Sequence, residues 1–567
     1  MAESVLPHPM ELTTVDPDLD VEDWEALEPK FQELSERSVE TESQLRQFLK
    51  VWNELDAVIS EGAHRLRLEK AQNTNDETVR QRWMTFLKEV NPKLTRWNDR
   101  LSRKLVGSPA VESLEGTTYE PFLRQTRNEV ELFEEENVPL QSEVAELTSQ
   151  YGEISGDWTV EFDGEERTIS QMQAYLQAPD RAVRKRAWHT VADRRLEDGE
   201  RLEELFDEMF ERRHQIAQNA GFDDYRDYTF AEKMRDYDPE ACFRIHELVE
   251  QEVLPLAEDI VDWKKSQLEL DRYRPWDGGA DPKGREPLEP FETSDGLKDG
   301  VERMMGRLDD RLGRQFGALR KYMDLESRPG KEQGGFMTQF SLSRRPFIFA
   351  NVSGHHGDVT TLLHESGHAF HTLASLPEQP MVSTTIPMEF CEVSSMAMEL
   401  LHYETLDEFY DEQQRRRAVE EHLRRIPSLL LSIARGDAFQ HWLYTHPNHT
   451  REERQDAWIR QQERFQPYVD REGLDEAYRR QGWHAILHFF QVPFYYIEYA
   501  FAQLGALQVA LNYEEDPDQA LDQYHRALGL GAQRDTEGLY EAAGAEFVPT
   551  RERVSELMDW IREKLNY

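Results

Sequence analysis

Cysteine is nearly absent from this 567-residue chain and lysine is sparse: there are two cysteines, Cys242 and Cys391, and 15 lysines. Two cysteines cannot build a disulfide framework, so a reducing, cytoplasmic setting is expected. No apolar run approaches the roughly 20 residues that cross a bilayer, which excludes a helical integral membrane protein. The opening stretch MAESVLPHPMELTTVDPDLD has neither a basic start nor an apolar core, so no secretory signal peptide is expected. Positive charge is short overall: 67 Lys and Arg face 111 Asp and Glu, a net charge of −44. A field of that sign repels DNA, RNA and anionic membranes and removes them from the expected partners. Long low-complexity tracts are also missing, and aromatics make up 10% of the chain, which excludes global disorder. The acid excess, with 52 arginines to 15 lysines and a hydrophobic fraction of 38%, reads as a surface adapted to high salt.

What remains is mainly helical patterning. Residues 1–20 are polar, carry three prolines and have no periodicity, and read as an extended arm. Residues 21–200 read as an N-terminal helical lobe and 201–567 as a catalytic helical domain with its core at 335–510. From Val21 to about Leu270 amphipathic helices follow one another; Leu202, Leu205, Phe206, Met209 and Phe210 form one apolar stripe. Pro92, Pro109 and Pro139 are expected to stop helices. Residues 274–295, rich in Gly, Pro and Asp, read as a loop. Residues 335–352, GFMTQFSLSRRPFIFANV, are the best strand candidate, with Pro346 between two short runs, and predict a small sheet. Helical patterning resumes at Asp358.

At 364–368 the chain reads His-Glu-Ser-Gly-His. Histidines at i and i+4 project from one face of a helix and can share one metal ion, while Glu365 between them can take a proton from water. Asp358-Val-Thr-Thr offers caps before the run, and Pro377 ends it. Leu362, Leu363, Ala369, Phe370 and Leu373 make the opposite face apolar, so the helix is buried and its polar groups need a partner. A zinc hydrolase needs a third protein ligand and an open position. The extension HExxHxxGxxH is missing, since His371 and Ala374 stand at its glycine and third histidine; a Gly-x-Met-Glu-Asn exopeptidase signature is missing too. Glu389, Glu392 and Glu399 follow at i, i+3 and i+10, near one face of a helix opened by Pro387, and spacing leaves all three open as the third ligand.

The segments His364–His371, Phe390-Cys-Glu392 and Ser395-Met-x-Met-Glu399, with Leu268–Asp277, Pro346–Asn351 and Pro493–Tyr499, resemble the thimet oligopeptidase family, closest to its oligoendopeptidase F and Pz-peptidase branch. The resemblance covers roughly residues 180–567. It implies that His364, His368 and Glu392 bind one zinc ion and that Glu365 is the general base. It implies that His488 and Tyr495 act in catalysis, with Tyr496 and Tyr499 close to substrate. Gly354 and His355, in a loop flanked by Gly354 and Gly357, are implied to lie over the substrate, and His371 to support the site or touch substrate. It implies a mainly α fold: a zincin-type, two-lobed helical body with a deep substrate channel and a small β-sheet beside the zinc helix.

Beside the resemblance, Asp358 and Glu399 are candidates to orient the ligand histidines, and Cys391 reads as a small buried hydrophobe. If residues 484–499 are one helix, His488, Tyr495 and Tyr499 share a side, where a neutral ring can donate to an oxyanion. The strand 346–351 can pair with an extended peptide. The expected function is a zinc endopeptidase acting on short peptides. Two alternatives remain: a zinc carboxypeptidase that uses Arg344 or Arg345 to hold a terminal carboxylate, and a helical binding protein with structural zinc.

Overall fold

In the computed structural model, which describes residues 5–328, 330–332 and 334–566, helices hold 68% of the chain. Two hydrophobic cores organise it. One is built from residues between Val15 and Phe122–Leu123 plus Met381. Its spine is the 31-residue helix Glu42–Gln72, whose Leu45, Phe48, Leu49, Trp52 and Leu55 fall at helical spacing and are buried. The larger core takes in Leu6 and residues from Leu147 to Leu565, and contains the helices of the HExxH segment. The stripe Leu202, Leu205, Phe206, Met209 and Phe210 is buried in it on the helix Gly199–Asn219.

Residues 5–20 form no helix or strand and lie against both regions. Thr13, Thr14 and Val15 donate backbone N–H groups to the Glu54 carboxylate, and Met10 donates to the Leu342 carbonyl.

Pro139 is a helix starter rather than a stop: it lies in the first turn of Asn137–Gly156, where a residue has no intrahelical use for its N–H. Pro92 neither starts nor stops a helix: the run continues from Glu77–Thr85 through a π-turn at Phe86–Val90 into Asn91–Val106, and the wider turn accommodates the missing N–H. Pro109 does follow a helix end, at Val106. The helical reading of 21–270 also overlooked a hairpin, β1 (Thr159–Phe162) and β2 (Glu165–Thr168). Its signal is Asp163-Gly164, both at positive φ, the two-residue turn that matches strand twist.

The 335–352 segment forms β4 (Phe336–Phe340) and β5 (Arg345–Val352), joined by a turn in which Arg344 has φ 54°. A third strand, β3 (Met323–Glu326), pairs parallel to β5, so the order is β3-β5-β4. Pro346 is therefore not the turn. It pairs with Gln339 and precedes Ile348, the first β5 residue paired to β3, so only one side of it enters a ladder. Because β5 is central, its edges are taken by β3 and β4, and a peptide cannot pair with 346–351 as expected. The edge strand toward the HExxH helix is β4.

Candidate active site

The HExxH helix runs from His356 to Ser375 and packs on β4 and β5. Its N-terminus is fixed by Asp358, whose Oδ2 accepts from the backbone N–H of Ser353, Gly354 and His355 at 2.7, 2.8 and 3.0 Å. Asp358 is thus a cap and does not orient the motif histidines. Gly354, at φ 94°, and the exposed His355 precede the helix; His356 and Gly357 are already inside its first turn, and His356 Nδ1 lies 2.8 Å from the Tyr410 hydroxyl.

The partner helix, Met388–Leu401, crosses the motif helix closely. Gly367, inside the motif, allows this: a Cβ there would stand 2.5 Å from the Ser394 carbonyl oxygen and 2.6 Å from Ser395 Cα. Sequence reading overlooked this residue. The close approach carries Glu392 between the two histidines. Its Oε2 lies 3.5 Å from His364 Nε2 and 3.6 Å from His368 Nε2. Ligand atoms of His364, His368 and Glu392 all lie within 4.8 Å of one another.

Geometry separates the three glutamates. Glu399 Oε1 sits 2.7 Å from His364 Nδ1, on the far side of the ring from Glu392. Glu389 faces elsewhere: it accepts from the Tyr237 hydroxyl at 2.5 Å and lies 3.4 Å from Arg235 Nε. Behind the second histidine, the Cys391 backbone carbonyl is the acceptor for His368. The Cys391 thiol is half-buried, and burial with Glu392 and Glu389 pushes it up, so it carries no charge.

The electrostatics describe a pocket short of positive charge. Burial lowers the basicity of His364, but Glu399, Glu392 and Glu365 outweigh it and hold the imidazole at about 9. His368 is lowered to about 3 by burial and by its neighbour His364. Glu365, 6% exposed, is raised to about 7, mainly by burial, and its Oε2 has no hydrogen-bond partner; the backbone of Met337 on β4 faces it. His364, His368 and Glu392 form a donor set of the kind that suits a zinc-class divalent cation, with Glu365 and Glu399 adding negative charge around it.

The aromatic segment is not one helix. Leu487–Gln491 and Glu498–Glu515 are separate, with Pro493 and Phe494 (φ 59°) in the break between them. The rings still converge: His488 lies 6.2, 4.8 and 5.8 Å, centroid to centroid, from Tyr495, Tyr496 and Tyr499. The break is held by buried cations that sequence reading did not single out. Arg213 donates to the Phe489 and Phe490 carbonyls, Arg235 to the Phe494 carbonyl and to Glu498, and Phe494 N–H donates to Gln440 Oε1 at 2.8 Å. This geometry brings the Tyr495 hydroxyl to Glu392 Oε1, at 2.6 Å. His488 is half-buried and lowered to about 4, so it is a neutral ring near neutral pH.

Two candidates do not reach an open site. His371 is 2% exposed, packed edge-on against Phe390, and its Nε2 is unpartnered, so a substrate contact would require uncovering it. Arg345 donates to the Pro7 and Arg344 carbonyls at the hairpin turn and is tied to the N-terminal segment.

Residues 174–557 match the pattern of Peptidase family M3, and residues 17–133 that of the Peptidase M3 N-terminal domain. The chain belongs to Peptidase family M3. Among M3 relatives it is 26% identical over 207 residues to oligoendopeptidase F (chromosomal) of Lactococcus lactis subsp. cremoris, covering 35% of this chain and 33% of that one. It is 22% identical over 392 residues to an oligoendopeptidase F homolog of Borreliella burgdorferi, covering 65% and 62%. These matches therefore span a third to three-fifths of the relatives' length. Among solved structures, Pz peptidase A with an inhibitor superposes with a TM-score of 0.90 at 26% identity, covering 95% of this chain and 97% of that one. The mainly helical M3 body expected from the sequence is thus the fold observed. No helix among the described residues is long and apolar enough to cross a membrane.

Proposed function

We propose that this M3 chain is a zinc endopeptidase that hydrolyses internal bonds of short peptides. The observation that carries the reading is the convergence of His364, His368 and Glu392 within 4.8 Å beside the buried, unpartnered Glu365. His364, His368 and Glu392 would hold the ion. When bound, zinc supplies a Lewis acid that acidifies water and polarises a carbonyl. Glu365 takes the proton of the attacking water and delivers it to the leaving nitrogen. Glu399 and the Cys391 carbonyl keep the ring nitrogens facing Glu392 available by occupying the opposite ones. His488 and Tyr499, whose rings lie 5.8 Å apart beside Tyr495, are the candidates to donate to the developing oxyanion. Tyr495 already donates to Glu392, so its first role is to hold that carboxylate.

The extended substrate lies along β4, whose Met337 faces Glu365, with Gly354 and His355 at the rim of a channel between the part of the chain built on the N-terminal core and the part built on the larger core. Backbone pairing reads little of the side chains, which suits mixed peptides. The engagement of Arg345 by backbone carbonyls favours this reading over a carboxypeptidase. The cytoplasm and a salt-rich medium suit the two free cysteines and the charge of −44.

The test uses one peptide with a free and with an amidated C-terminus. Cleavage of both at the same internal bond is expected, and Glu365→Gln should bind zinc as wild type does while losing at least about 10³-fold in kcat. Loss of cleavage on amidation would establish a carboxypeptidase instead, and an active, zinc-loaded Glu365→Gln would end the general-base role.

A further inference from the structure

A second cluster of metal-binding side chains lies on two other helices. Pro239–Leu248 carries Cys242 and His246, and the long helix Glu412–Thr445 carries Asp437 and His441. Each pair is spaced i, i+4, so each projects from one face of its helix, and the two helices pack together. Cys242, His246, Asp437 and His441 are 0, 2, 0 and 4% exposed. Cys242 Sγ, a carboxylate oxygen of Asp437 and a ring nitrogen of His441 lie within 4.8 Å of one another. His246 Nε2 lies 2.9 Å from Asp437 Oδ2, and His441 Nε2 lies 3.2 Å from the same oxygen.

The cluster is polar, buried and unsatisfied. His441 Nδ1 and Asp437 Oδ1 have no hydrogen-bond partner, and His441 Nε2 has only its 3.2 Å contact with Asp437 Oδ2. Buried groups of this kind are nearly always paired, so each one calls for an account. Phe230, Phe243 and Phe494 pack around the His441 ring and keep its surroundings apolar. A surface cavity of about 280 Å³, lined by Phe243, His246, His441, Trp442 and Arg464 among others, adjoins the cluster and gives an ion a way in.

We propose that Cys242, Asp437 and His441 form a second metal site that holds one zinc-class divalent ion, with His246 orienting Asp437 from outside. One thiolate and one carboxylate cancel the two positive charges, so the ion enters a buried place without leaving net charge there. The nearby Arg235 does not upset the balance, because Arg235 and Lys233 together are matched by Glu498 and Glu389. A thiolate with an imidazole selects zinc over magnesium or calcium. On binding, Cys242 loses its S–H proton to solvent and a sulfur–metal bond forms, with no change of oxidation state. Three protein donors leave one position for water from the cavity. The site ties the two helices together one residue from Gln440, which accepts from the Phe494 N–H in the backbone break that presents Tyr495. It is therefore a structural clamp behind the aromatic segment.

The experiment measures zinc bound by the full-length enzyme after chelation and reloading with zinc alone, then repeats the loading with cobalt. Wild type should bind two ions. The double variant His364→Ala/His368→Ala should keep one, with a sulfur-to-cobalt charge-transfer band in the near ultraviolet. Cys242→Ser and Asp437→Asn should each bind one ion fewer than wild type, and Cys242→Ser should lose the band, while Cys391→Ser keeps both ions and the band. A wild-type stoichiometry of one that falls to none in the histidine double variant overturns the proposal, as does a cobalt band that survives Cys242→Ser. Should Cys242→Ser fail to fold, wild type, Cys391→Ser and the histidine double variant decide the question alone. Failure here leaves the endopeptidase reading intact, because that reading concerns only the His364 site.

Discussion

Glu399 Oε1 lies 2.7 Å from Nδ1 of His364, and this single contact sets the tautomer and the aim of the ring. A carboxylate accepts only, so Nδ1 keeps its proton and Nε2, facing Glu392, is the nitrogen that gives up its proton when a metal ion binds. Glu399→Ala should lower metal affinity about 10–100-fold without removing a ligand. Glu399→Gln should fall in between, since its carbonyl still accepts. Metal-buffered titration checks this; wild-type affinity in Glu399→Ala would show that His364 is oriented by packing alone.

Glu392 and Glu389 are three residues apart on one helix and face different partners. Glu392→Gln should lose the metal at the motif site. Glu389→Gln should keep it but destabilise the fold, by about 1–3 kcal/mol, because Arg235 at 1% side-chain exposure loses one of its two carboxylates. Metal content and thermal melts of both variants separate the two roles. Metal loss confined to Glu389→Gln would reverse the assignment.

Asp56 links the N-terminal core to the loop before the Glu392 helix, accepting from Ser383 Oγ at 3.1 Å. Burial, with Glu129 nearby, outweighs that bond and raises Asp56 from 3.8 to about 7. The folded state thus holds a proton that the unfolded chain has released between about pH 4 and 7. Stability from this group is complete below about pH 4 and is lost as pH rises through about 7. Asp56→Asn should therefore raise the melting temperature at pH 8, by about 1–4 kcal/mol in free energy, and change it little at pH 4. A uniform effect at both pH values would mean that the Asp56 charge is not what strains this contact.

Salt should stabilise this protein. The net charge of −44 repels itself in the compact state, and raising salt from about 0.1 to 1 M shortens the screening length from about 10 to 3 Å. Screening also weakens exposed arginine–carboxylate pairs such as Arg46–Glu42 and Arg416–Glu420, but each contributes only about 0.2–1 kcal/mol. Melting temperature and initial rate should both rise between about 0.1 and 2 M KCl. A flat profile would remove the salt-adapted reading and leave the site chemistry untouched.

The local chemistry of the site was legible in the chain because it is local. HExxH is an i, i+4 relation inside one helix, and helical geometry alone puts His364 and His368 on one face. The β4–β5 segment was likewise readable from short-range alternation. Which carboxylate joins the two histidines was not readable from spacing, because Glu389, Glu392 and Glu399 share one helix, and only its crossing of the motif helix at Gly367 brings Glu392 to them. Asp358, correctly placed at a helix start, turned out to cap the loop because a carboxylate at that position reaches three backbone N–H groups first. The aromatic cluster of His488, Tyr495 and Tyr499 was placed by the wrong period: Pro493 interrupts the helix, and Arg213, Arg235 and Gln440, distant in sequence, satisfy the freed backbone groups and bring the rings together. The sequence by itself determined which chemical groups the protein possesses and which lie one turn apart. The tertiary structure decided which of them share a site, because helix crossings and buried counter-charges join residues hundreds of positions apart and leave no periodic trace in the chain.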